Sequence, residues 1–134
     1  MTEATIFDKI ISGEVKSWKV CEDEHYLAFL NIFTIHPGET VVIPKKNPGD
    51  YLFTIEDDIY YGLLDAARKV AKILEKGMGV DRVGMVVHGT GVAHAHIRLT
   101  PMTADFSGHL SSEDGEKVSD EELDAVQAKI VGAA

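Results

Sequence analysis

A chain of 134 residues, 45% hydrophobic and 26% charged, is most simply one domain able to bury a core without disulfides or a structural metal. Its formal net charge of −9 repels a phosphate backbone and argues against a nucleic-acid polymer as partner, while a small phosphorylated ligand held by a few local cations stays compatible with it. No apolar run approaches the roughly 20 residues of a membrane span, the N-terminus carries no signal-like apolar core, and Cys21 is the single cysteine, so the expectation is a cytoplasmic protein without disulfides or membrane attachment.

Residues 4–12, ATIFDKIIS, place Ile6, Ile10 and Ile11 on one helical stripe, and Gly13 supplies a stop. Two strand-like runs follow, SWKVCED and YLAFLNI, joined by polar residues that suit a hairpin. After the turn HPGE, the β-branched run Thr40–Ile43 predicts a strand with one well-buried face, closed by Pro44, Lys45 and Lys46; the lysine pair reads as a solvated edge. From Glu56 to Met78 the positions Ile59, Leu63, Ala67, Val70, Leu74 and Met78 recur at three- and four-residue spacing, which predicts one long helix. RVGMVV and VAHAHIRL then read as a hairpin turned by HGTG. Residues 1–103 form the expected domain, and 104–134 an acidic mobile linker with one weak helix over EELDAVQAKIV. Trp18 reads as a packing or dimer residue, and His25 and His109 receive no role.

GVAHAHIRLTP, residues 91–101, carries the chemistry. In a strand Val92, His94, His96 and Arg98 share one face, and Ala93, Ala95, Ile97 and Leu99 share the other. The apolar set is expected to face the core, which leaves two imidazoles and a guanidinium toward solvent or a ligand. Two chemistries fit. A metal ion held by His94, His96 and a third ligand from His88 or Glu39 is one, with Arg98 as an unfavourable fixed charge beside it. The other is phosphate chemistry, in which one imidazole attacks phosphorus and the guanidinium holds the oxygens.

VAHAHIRL resembles the His-φ-His-φ-His-φ-φ signature of the histidine-triad (HIT) family of nucleotide hydrolases and transferases, where φ is an apolar residue. TIFDKIISGEV, LAFLNI and PGETVVIPKKN resemble the family's earlier landmarks in order, so the likeness runs over about residues 4–101. It implies an α+β fold with a curved antiparallel sheet, one short N-terminal and one long helix, and a two-fold homodimer. It implies a purine nucleotide or nucleotide conjugate as ligand and no cofactor. By residue-for-residue mapping, His96 is the nucleophile and His94 the first triad histidine. Phe7, Ile10, Phe29, Leu30, Asn31 and Ile32 form the base and ribose pocket, and Gly91 and Val92 lie near the phosphate.

The sequence also departs from the family pattern. Arg98 replaces the third histidine and still suits a phosphate grip. Asn31 stands where an aspartate accepts both ribose hydroxyls. Glu39 stands at the place of an additional histidine, where a carboxylate would bond His94 and raise its pKa, with His36 or His88 to compensate. His88 occupies the place of a family asparagine, which implies a different leaving-group side. The resemblance implies either a nucleotidyl hydrolase or transferase, acting on a phosphoramidate or a dinucleoside polyphosphate, or a nucleotide-sensing module with little turnover.

Overall fold

The computed structural model describes residues 4–34, 36–104, 106 and 115–133. Five strands form one antiparallel sheet in the order β1-β2-β3-β5-β4, with β1 at Lys19–Glu22, β2 at Tyr26–Leu30, β3 at Thr40–Pro44, β4 at Arg82–Val86 and β5 at Ile97–Met102. Three helices complete the α+β architecture: α1 at Ile6–Ser12, α2 at Asp57–Met78 and α3 at Asp120–Ala133. Among the described residues no helix is long and apolar enough to cross a membrane.

Alternation along the strands divides the interior into two cores. Ala28, Leu30, Val42, Ile97 and Leu99 face α2 and α3, where Leu63, Val70, Leu74, Leu123 and Ile130 meet them. Leu27, Phe29, Val41 and Ile43 face the opposite way and meet Phe7 and Ile10 of α1. β3 is therefore buried on both faces, not one, because helices cover both sides of the central strands.

Local chemistry sets the helix ends. Thr5 and Asp8 make a reciprocal capping box at the start of α1, and Gly13 ends the helix with a positive φ of 84°. The buried stripe of α1 is Phe7 and Ile10; Ile6, expected on it, is 46% exposed. In α2 the expected stripe is present, with Leu63, Ala67, Val70 and Leu74 buried.

α3 shares the larger core, although its sequence reads as an appendage. Leu123 and Ile130 are buried, and the absent side chain of Gly77 lets α3 approach α2: a Cβ there would lie 2.6 Å from the Ile130 Cα. Trp18 is buried in this core and donates its indole N–H to the Asp124 carboxylate at 2.7 Å. Lys45 pairs with Glu22 at 2.8 Å on the sheet surface. Most of the acidic stretch before α3, including His109, lies outside the described residues.

Two expectations for the histidine segment need correction. β4 and β5 do pair, with Val86 opposite Arg98, but β5 begins only at Ile97, so residues 87–96 form a long connection instead of the short HGTG turn. Its backbone bonds leave the sheet: Ala95 N–H donates to Gly49 at 2.7 Å, and the Asn47 amide donates to the Ala93 carbonyl at 2.8 Å. Nor do the histidines face solvent. His94 and His96 are 0% and 1% exposed, whereas Ala93, assigned to the core, is exposed.

Candidate active site

The two imidazoles are buried because each has a carbonyl within reach. His94 Nε2–H donates to the Pro44 carbonyl at 2.7 Å, and His96 Nδ1–H donates to the His94 carbonyl at 2.8 Å. A carbonyl can only accept, so these bonds fix opposite tautomers on the neutral rings. His96 thereby keeps the lone pair on Nε2, which has no hydrogen-bond partner among the described residues. That is the arrangement of a nucleophile: a basic nitrogen without a competing proton, on a ring held by its other nitrogen.

Electrostatics favours the same state. Burial is the main influence holding His96 below the usual histidine pKa, partly countered by its bond to the His94 carbonyl; the charges of Arg98, His94 and His88 depress it further. Burial also lowers His94, against the opposing pull of the Pro44 carbonyl and the Asp8 charge. Asp8 Oδ1 lies 3.7 Å from His94 Nδ1, the nitrogen left without a hydrogen bond. Asp8 is thus the carboxylate beside His94, a role expected of Glu39. Asp8 also closes the capping box with Thr5, and no pattern in the sequence indicated either contact.

Glu39 is 1% exposed and turned toward its own loop, where its two carboxylate oxygens accept from the Asn31 amide at 3.2 Å and from the Thr34 hydroxyl. The expected bond from Glu39 to His94 is absent, and His94 is lowered, not raised, because desolvation dominates. Asn31 is also committed at its oxygen, which accepts the Phe33 N–H at 3.1 Å. His36 stacks on Phe106, with ring centroids 4.6 Å apart.

A cavity of about 510 Å³ opens between α1, residues 15–17 ahead of β1, and residues 90–92. Its wall includes the apolar side chains of Ile6, Phe7, Ile10, Val15, Phe29 and Val41. Leu30, Asn31 and Ile32, and Thr90, Gly91, Val92 and Arg98, also line it. An apolar slot with a few polar groups has the usual character of a small-molecule site. Lys16, Ser17 and Thr90 were not anticipated, since isolated polar residues in loops carry no pattern.

His88, His36, Glu39, His94 and His96 are not part of this cavity's wall. Phe7 connects it to the imidazoles: its ring lines the cavity and meets His94 and His96 edge-on, at centroid distances of 5.7 and 5.1 Å. Among the described residues no group of three or more His, Cys, Asp or Glu side chains is arranged to hold a metal ion.

The protein-family model described as HIT domain matches residues 12–110. A HIT-like protein of Methanocaldococcus jannaschii is 34% identical over 132 residues, covering 95% of this chain and 98% of the relative. An adenosine 5′-monophosphoramidase of Saccharomyces cerevisiae is 34% identical over 110 residues, 78% of this chain and 66% of that protein. Among solved structures, a HIT-like protein of Bartonella henselae superposes with a TM-score of 0.82 at 27% identity, covering 99% of this chain and 98% of its own.

Proposed function

The chain belongs to the HIT family, and from that premise we propose that it is a nucleotide hydrolase or nucleotidyl transferase that works through His96. The observation that carries this reading is the tautomer of His96, whose Nδ1–H is held by the His94 carbonyl while Nε2 keeps an unshared lone pair. The likeness to the yeast phosphoramidase supports a nucleotide substrate.

In this reading a purine nucleoside monophosphate places its base against the apolar side chains of Phe7, Ile10 and Phe29 and its ribose beside Asn31. Its phosphate lies by Gly91, Val92 and Arg98. His96 Nε2 attacks the α-phosphorus, the leaving group departs, and water or another acceptor resolves the nucleotidyl-imidazole. The ring's positive charge in that intermediate is stabilised by the His94 carbonyl. Because His96 lies behind Phe7, attack requires a shift of the Phe7 ring or of Val92 as phosphate enters. A homodimer paired through the open edge of β4, where Met85 is 51% exposed, completes the proposal.

Two observations favour a second reading, a nucleotide sensor with little turnover: His96 is fully buried outside the cavity wall, and both ends of the Asn31 amide are engaged. Thermal shift with adenosine and guanosine monophosphates, run beside a hydrolysis panel of phosphoramidates and dinucleoside polyphosphates, separates the two. The enzyme reading expects stabilisation by nucleotide and turnover. Stabilisation without turnover selects the sensor, and no stabilisation at millimolar nucleotide removes both.

A further inference from the structure

Glu39 immediately precedes β3 and is 1% exposed, yet the chemistry proposed for His96 leaves it without a role. Burying a carboxyl group is costly unless its oxygens are hydrogen-bonded, and both are: one accepts from the Asn31 side-chain amide at 3.2 Å, the other from the Thr34 hydroxyl. Asn31 lines the cavity and Glu39 does not, so the carboxyl group bonds a wall residue from outside the cavity.

Two neighbours fix which way the Asn31 amide points. The Glu39 oxygen accepts, so it faces Nδ2; the Phe33 N–H donates, and it faces Oδ1 at 3.1 Å. A flipped amide would set oxygen against oxygen and N–H against N–H. In the observed orientation Oδ1 retains a second lone pair and Nδ2 a second hydrogen, so the amide offers a ligand one acceptor and one donor. The backbone is held independently of these side chains. Asn31 N–H donates to the Glu39 carbonyl at 2.9 Å, Leu30 pairs with Thr40, and the Ile32 carbonyl accepts the Val118 N–H at 2.8 Å. Removing the carboxyl group therefore releases the amide and leaves the strand paired.

We infer that Glu39 is a positioning residue for sugar recognition: it holds the Asn31 amide in the orientation that reads two neighbouring hydroxyls, and so sets the preference for a ribonucleotide over its deoxy forms. The inference rests on the reading above that places the ribose beside Asn31. Oδ1 accepts from one hydroxyl while Nδ2–H donates to the oxygen of the other. Loss of either hydroxyl then forfeits one hydrogen bond and leaves one end of the amide unpaired. Without the Glu39 carboxyl group the amide is tethered only through the Phe33 N–H, and the discrimination falls although sugar and cavity are unchanged.

The test is calorimetric titration with adenosine 5′-monophosphate and its 2′-deoxy and 3′-deoxy forms, on the wild-type protein, Glu39→Met and Glu39→Gln. The wild-type protein is expected to bind the ribonucleotide about 5- to 10-fold more tightly than either deoxy form, the worth of one hydrogen bond. Glu39→Met, of similar length and apolar, should bring the three ligands within about two-fold of one another by weakening the ribonucleotide alone. Glu39→Gln keeps an oxygen toward Asn31 and turns an N–H to the Thr34 hydroxyl, so it should restore most of the wild-type preference. Equal weakening of all three ligands in Glu39→Met would assign the carboxyl group to packing and overturn the inference. An unchanged preference in that variant, or a wild-type protein that binds the three alike, would also overturn it; all of these leave nucleotide binding standing. Absence of binding by any of the three would overturn the nucleotide reading as well. Glu39→Ala carries the same comparison if Glu39→Met does not fold.

Discussion

On one face of the sheet, Leu63, Leu74, Ile97 and Ile130 are wholly buried in a continuous core beneath two helices. On the other, a helix of seven residues covers a smaller cluster beside an open cavity, and two imidazoles are buried there. The first face is close-packed hydrocarbon, each fully buried leucine contributing roughly 1.5–3 kcal/mol. The second accepts desolvated polar groups whose lone pairs are not all satisfied, a costly arrangement that native structures concentrate where chemistry needs it. In the proposed reading, stability and site chemistry are carried on opposite sides of the same strands, and substitutions should separate them.

The largest expected effect is on rate. His96→Ala should lower turnover by roughly three orders of magnitude or more while leaving nucleotide affinity within a few-fold, since the imidazole contributes more to the covalent path than to ground-state binding. Single-turnover kinetics beside calorimetric titration would show the split; equal losses of rate and affinity would mean that the ring serves binding.

Next come stability effects confined to the opposite face. Ile130→Ala should cost about 2–5 kcal/mol in urea unfolding. Gly77→Ala, whose new methyl meets the Ile130 backbone, should cost about 1–3 kcal/mol. Nucleotide affinity of the folded protein should be unaltered in both. An Ile130→Ala variant as stable as the parent would show that α3 contributes nothing to the fold.

Smaller again is the effect on affinity at the phosphate. Arg98→Ala should weaken phosphorylated ligands by about 1.5–3 kcal/mol, the range for a hydrogen bond to a charged group, and bare nucleoside little. Equal weakening of nucleotide and nucleoside would relocate the arginine's contribution to packing.

The smallest effect is on pH dependence. His94 and His96 are held below their ordinary value of 6.5, so between that value and their lower folded values the unfolded chain binds more protons than the folded one. Their contribution to stability is present above about 6.5 and is lost as pH falls through the folded values. The melting temperature should therefore decline from pH 7 toward pH 5, and less steeply in His96→Ala than in the parent. Identical declines would show that other groups carry the pH response.

The same contrast governs what was legible in the sequence. The three- and four-residue spacing of α2 and the β-branched run of β3 announce themselves because regular burial leaves a regular pattern. The alternation from Ala95 through Leu99 also held, but the start of β5 did not, because the loop at Asn47–Gly49 takes the hydrogen bonds that a neighbouring strand would have taken. The depth of the histidines was hidden for a related reason: their acceptors are backbone carbonyls of Pro44 and His94, which no side-chain pattern reveals. α3 was underrated because only Leu123 and Ile130 are buried along it, and the notch that admits it is a single glycine on another helix.

The most direct test of the central claim is to quench the protein during turnover at neutral to alkaline pH, where a phosphoramidate bond survives, and to map the peptides by mass spectrometry. The account predicts a nucleotidyl adduct on His96, within the peptide that also carries His94, and none in His96→Ala. Turnover by the wild-type protein with no such adduct, matched in rate by His96→Ala, would contradict it.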